Sequence, residues 1–204
     1  MRRIIYFTAA VAIATATACG DRANDSVIGN NSTGTNPAGE SSIGTSGADM
    51  RDGDIRQFVE DMAHAGMAEV ELGRMASERG SNAAVKAFGQ MMVTDHSKAN
   101  DELKNAASRS SIQVPAGMDE QHRDLADRLS NMSGAEFDRE YITAMVDGHE
   151  DVADKLERHS RMTGNSPQDN AAISEWASNA LPTVQRHLER ARQIQGQLAS
   201  SGAP

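Results

Sequence analysis

The sequence predicts an all-α protein, a bundle of four long helices with one short extra helix in the connection between the second and the third. Three observations carry that prediction. Aromatic residues are scarce, with four Phe, two Tyr and one Trp against eleven Met, which suits a core of slim aliphatic and thioether side chains and disfavours a β-fold. From Asp54 onward apolar residues recur at helical spacing. Turn and capping residues fall where that spacing breaks.

Ahead of the bundle, the cationic start Met1-Arg2-Arg3, the apolar run from Ile4 to Ile13 and the small residues Ala14 to Ala18 form the pattern of a secretory leader over residues 1–18. The apolar stretch is too short to span a bilayer. The single cysteine, Cys19, excludes an intramolecular disulfide framework. Ala16-Thr17-Ala18-Cys19-Gly20 resembles a bacterial lipobox, in which the cysteine is lipidated and becomes the mature N-terminus, although Ala16 stands where Leu is commonest. Ordinary cleavage at Ala-x-Ala, leaving a free thiol, is the other reading. An exposed thiol in an oxidising compartment is prone to oxidation and mispairing, which favours the lipid. Residues 19–53 are rich in Gly, Ser, Thr, Asn and Asp and bury too little apolar surface to order themselves, so they are expected to form a flexible tether reaching about 30 Å.

The first helix is expected over 54–79, with Asp54 as N-cap, Gln57 three residues later and Gly80 as stop. The second is expected over 82–108, capped by Ser81 and ending before Val114-Pro115. The short helix falls near 119–130, with Met118, His122, Leu125 and Leu129 on one stripe. Ser133 and Glu136 make a capping box for the third long helix, which runs to about Thr163 and stops at Gly164. Ser166, Pro167 and Asp169 supply N-cap, first-turn proline and first-turn acid for the fourth, which reaches about Leu198 and should kink at Pro182. The bundle domain is thus placed at 54–199, with a disordered tail at 200–204. Short links within each helix pair and a long crossover between the pairs match the connectivity of ferritin-like bundles.

The net charge of −9 makes nucleic acid an improbable partner. No nucleophile-base arrangement or phosphate-cradling glycine loop is visible, which favours a non-catalytic role. The inward faces nevertheless carry polar groups. Glu69 falls inside the apolar stripe of helix one, where a lone carboxylate needs a partner. His96 and Asp95 flank the stripe of helix two, and His149 and His187 lie within those of helices three and four. His64 points the other way. Each inward histidine follows a Val by three residues, at Val93, Val146 and Val184. The first two also follow Met92 and Met145 by four and Phe88 and Tyr141 by eight, which looks like an internal duplication. All four groups sit well inside their helices, so antiparallel packing brings them to one height.

Two readings of that cluster stand. One is a structural network of imidazoles hydrogen-bonded to Glu69 and Asp95 that fixes helix register. The other is a metal site, in which Glu69, His96, His149 and His187 suit zinc, copper or iron, and Met92 or Met145 favours copper(I). Oxygen-activating di-iron chemistry needs Glu-x-x-His, which the three valines replace. The remaining methionines read as packing residues. Trp176 is expected at the bundle boundary with its indole N–H in water, and His159 near the last turn of helix three in a structural role.

The run Met92-Val93-Thr94-Asp95-His96-Ser97-Lys98-Ala99-Asn100, with Ala68 to Gly73 upstream and His187-Leu188 downstream, resembles a bacterial exported family known only as domain of unknown function 4142. The resemblance covers roughly residues 54–198 and implies a ferritin-like bundle in the periplasm or outer membrane, with no established reaction. Gly20 after Cys19, by resemblance to sorted lipoproteins, leans towards the outer membrane. The expectation is a lipid-anchored envelope protein with a binding or structural role towards an unidentified protein or small-molecule partner. The alternative is metal binding or buffering through the core His/Glu cluster.

Overall fold

A computed structural model of the chain describes residues 47–163 and 170–201. The leader, Cys19, the tether up to residue 46, the caps at Ser166, Pro167 and Asp169, and residues 202–204 lie outside the described residues. Five helices and no strands are present among those described: α1 (Gly47–Arg79), α2 (Ala83–Arg109), α3 (Glu120–Ser130), α4 (Gly134–Thr163) and α5 (Ala171–Ser201). Among the described residues, no helix is long and apolar enough to cross a membrane.

The helices form where the apolar period and the caps place them, with three corrections. Helix α1 begins at Gly47, so residues 47–53, expected in the tether, are helical, and Asp54 sits within the helix rather than at its cap. Helix α2 is capped by Asn82, whose side chain accepts from the Ala84 N–H at 2.8 Å, and not by Ser81. Ser81 is engaged elsewhere, its hydroxyl and its backbone N–H both donating to Asp138. Helix α5 continues to Ser201 and runs through Pro182 as one helix, taking in residues 200 and 201, which were expected in the tail. The short helix α3 lies where expected, and Asp119 caps it, accepting from the His122 N–H at 2.9 Å.

Helices α1 and α2 pair along their length, as do α4 and α5, and the pairs meet through α2 against α5 and α1 against α4. Helix α3 lies mainly on α1. The α1–α2 pair is drawn close by two glycines: a Cβ added at Gly73 would come within 2.7 Å of the Gly89 carbonyl oxygen, and one at Gly89 within 2.6 Å of the Gly73 carbonyl oxygen. Any larger residue at either position would push the helices apart.

Two apolar clusters fill the bundle. One gathers Leu72, Phe88, Met92, Tyr141, Met145 and Ile194; the other gathers Val59, Met62, Leu103, Leu156, Ile173 and Ala177. Along every long helix a polar residue separates the two: Glu69 on α1, His96 on α2, His149 on α4 and His187 on α5. Burial of the two apolar clusters therefore clamps a polar layer at mid-height.

Candidate functional site

Within that layer the rings of His96, His149 and His187 meet pairwise. Their centroids lie 5.6 Å apart for His96 and His149, 5.4 Å for His96 and His187, and 5.5 Å for His149 and His187. One ligand atom from each histidine lies within 4.8 Å of those of the other two. His149 and His187 are buried and His96 half-buried. Phe88 and Tyr141, the aromatic pair eight residues before the first two histidines, also touch, edge to face at 6.3 Å.

On His149 and His187 the hydrogen bonds fix which nitrogen is free. His149 donates from Nδ1 to the Met145 carbonyl at 2.8 Å, leaving the lone pair on Nε2. His187 donates from Nε2 to Asp95 Oδ2, also at 2.8 Å, leaving the lone pair on Nδ1. These are the backbone-carbonyl and carboxylate partners that orient ligating imidazoles in metalloproteins. The nitrogens left over, His149 Nε2, His187 Nδ1 and His96 Nε2, are buried and have no hydrogen-bond partner.

Electrostatics keep the three rings neutral, the form that ligates. Burial holds His96 well below the ordinary histidine range, assisted by repulsion from His149 and His187. Burial and the charge of His187 bring His149 down to about 4, against a smaller upward pull from its bond to Met145. Burial also lowers His187, opposed by Asp95.

Glu69 stands beside this trio rather than within it. Its Oε1 lies 3.6 Å from His149 Nδ1, on the side of the ring that already donates to Met145. Although that distance is short enough for an ion pair, burial pushes the Glu69 carboxyl up to about 8 while His149 is pushed down, so the contact joins two neutral groups. Its other oxygen, Oε2, is buried without a partner. Met145 reaches the site through its backbone carbonyl, and both Met92 and Met145 pack in the apolar cluster with Leu72 and Phe88.

Two spaces flank the trio. On the outside, Asp95, His96 and His187 line a cleft of about 950 Å³ between α2 and α5. On the inside, Glu69, His96 and His149 line a cavity of about 40 Å³ walled by Val152, Leu156 and Val184.

Other polar residues found different partners. His64 bonds the Gly117 carbonyl at 2.8 Å, away from the core. Trp176 does not leave its N–H in water: Nε1 donates to the Ala99 carbonyl at 3.1 Å, tying α5 to α2. His159 is buried and stacks on Phe58 at 4.1 Å. The residue that sequence reasoning missed is Asp138, 1% exposed, whose partners lie more than fifty positions upstream in the α1–α2 turn. An Asp in the second turn of a capping-box helix, between the apolar residues Phe137 and Tyr141, was its only signal.

No curated protein and no solved structure matches the chain. A family model does, over residues 41–194, and this stretch holds all four residues of the polar layer. The chain belongs to the family described as Domain of unknown function (DUF4142).

Proposed function

We propose that this protein holds a divalent transition metal, zinc or copper(II), on His96, His149 and His187. The observation that carries the reading is that three neutral imidazoles, contributed by three helices, each leave a buried nitrogen unpartnered at one point in the core. Left empty, such groups forfeit hydrogen bonds that water would have supplied, at a cost on the order of 1–3 kcal/mol each. A purely structural network would close them on one another. An ion about 2.0–2.1 Å from each nitrogen satisfies all three at once, and imidazole donors without thiolate suit zinc and copper above iron. The carboxylate of Asp95, which accepts the Nε2–H behind His187, strengthens that ring as a ligand.

The ferritin-like connectivity of the helices belongs to the same proposal, without the family of di-iron reactions, because valine stands three residues before each histidine. So does the location: the leader pattern, Cys19 and the glycine-rich segment after it support export and a lipid anchor in the cell envelope, with the metal domain held off the membrane. Binding, not turnover, is the role.

Elemental analysis of protein purified without chelator or affinity tag tests the site. Zinc or copper at close to one ion per chain is expected, falling to background in His149→Ala, and a metal-free protein that takes up neither ion refutes it. For the anchor, Cys19→Ser should move the protein from the membrane to the soluble fraction. A variant that stays wholly membrane-bound removes that part of the reading.

A further inference from the structure

The inner cavity gives the metal reading, on which this inference rests, a second consequence. Three protein ligands leave one position of a tetrahedral ion unfilled, and a site of that kind exchanges ligands whereas a four-ligand site is closed. Towards the outer cleft, Asp95 is already committed to His187. Towards the interior lies a 40 Å³ space bounded by His96, His149 and Glu69. A water needs roughly 10–15 Å³ of such space, so two or three waters or a three-atom anion fit. Of the surrounding walls, Val152, Leu156, Ala180 and Val184 offer no side-chain hydrogen bonds, Trp176 has its N–H on the Ala99 carbonyl, and Asn100 adds an amide; Glu69 is the acidic side chain there, with Oε2 buried and unpartnered. A buried carboxyl that no protein donor meets, beside a trio with one vacant position, has its natural partner in whatever fills that position.

We infer that the ion keeps its fourth position open towards this cavity, where Glu69 hydrogen-bonds a metal-bound water or a small exchangeable anion. Protonated, the carboxyl donates to an anion; ionised, it accepts from water, so either form serves. The site then takes small oxygen or nitrogen ligands of two or three atoms and excludes larger ones by volume. The alternative arrangement, in which Glu69 swings in as the fourth ligand itself, would close the site.

Cobalt(II) in place of the native ion separates these outcomes, because its visible absorption reports both occupancy and coordination. In the full chain, Co(II) should give a tetrahedral band, and titrated azide should shift it. Glu69→Leu should keep a Co(II) band but weaken azide at least tenfold, while Glu69→Gln, which retains a donor, should keep most of the azide response. Ala180→Val, which narrows the cavity from α5 without touching a polar group, should also weaken azide. A Co(II) band that azide leaves unchanged overturns the open position while sparing the metal site. Azide affinity in both Glu69→Leu and Ala180→Val equal to that of the unaltered protein assigns the anion elsewhere and overturns the inference as well. No Co(II) band at all removes the metal reading and this inference with it.

Discussion

Two buried carboxyl groups divide this molecule into a region that is finished and a region that is not. Asp138, on α4, closes the α1–α2 turn: it accepts from the Ser81 N–H at 3.0 Å, from the Asn82 N–H at 2.8 Å and from the Ser81 hydroxyl. Those are donors at the start of α2, which no residue within the helix can satisfy, and an acid placed there also suits the helix dipole. Glu69, at 7% exposure against 1% for Asp138, has an oxygen with no partner and neighbours three histidines with bare nitrogens. A chain that satisfies one acid so fully does not lack the means to satisfy another. The difference teaches that polar groups closed on themselves fix the fold, whereas the metal proposal rests on the polar groups that the fold leaves unpaired.

The largest effect should come from breaking the finished region. Asp138→Ala strands the two backbone donors of the turn, and about 3 kcal/mol of stability should be lost in urea unfolding. Zinc affinity of the folded protein should be untouched. A loss below about 1 kcal/mol would mean the turn reforms without the acid.

The unfinished region should respond to pH in two opposed ways when no metal is bound. The histidines have folded values below the ordinary 6.5, so above that pH both states are neutral and nothing is lost. As pH falls below 6.5, the unfolded chain takes up protons that the folded chain refuses until about 4 at His149, and stability drops. Glu69 acts in the other direction. Between 4.5 and about 8 the unfolded chain has lost a proton that the folded chain keeps, so stability falls as pH rises through that window. Glu69→Gln removes only this second arm. It should gain on the order of 2 kcal/mol over the unaltered protein between pH 5 and pH 8, while its thermal midpoint still falls from pH 7 to pH 5. Parallel curves for the two proteins would show that Glu69 is ionised in the fold.

How much of this was legible follows from how local each signal is. The apolar period and the turn residues that break it gave the helices, and the short helix found at Glu120–Ser130 shows such a local signal realised. The mid-height layer was legible too, because a residue central in each of four antiparallel helices needs no exact register to meet its counterparts. What failed depended on distant partners. Ser81 and Asn82 are equally good caps in sequence, and the choice was made by Asp138, 57 and 56 positions away. Trp176 is half-buried, as expected at the boundary, but its N–H was expected in water because its acceptor, the Ala99 carbonyl, is a backbone atom 77 positions away with no signature in the chain. Glu69 was correctly placed inward, but its position relative to the ring nitrogens depends on side-chain torsions that periodicity does not carry. The α1 start was missed because the glycine-rich composition of residues 47–53 reads as coil.

A smaller change should come from Asp95, which links the two regions of behaviour: it is satisfied, yet by a residue of the open trio. Asp95→Asn keeps a side chain of the same shape but gives up the charge that draws the His187 proton to Nε2 and orients the ring. Zinc affinity should fall at least about tenfold, with little change in the stability of the metal-free fold. An unchanged affinity would show that His187 is positioned by packing alone.

The smallest effect belongs two residues from Glu69, on the same helix. Glu71 pairs with Arg74 at 3.4 Å, but the two side chains are 47% and 59% exposed, so water screens the attraction and both chains give up freedom to hold it. Glu71→Gln should shift stability by less than about 0.5 kcal/mol at any pH between 5 and 8 and leave metal affinity alone. Set against Glu69→Gln, the same substitution two residues away, it isolates burial as the variable. If Glu71→Gln reproduced the alkaline gain expected of Glu69→Gln, the effect would belong to the net charge of the bundle rather than to the unpaired acid in its core.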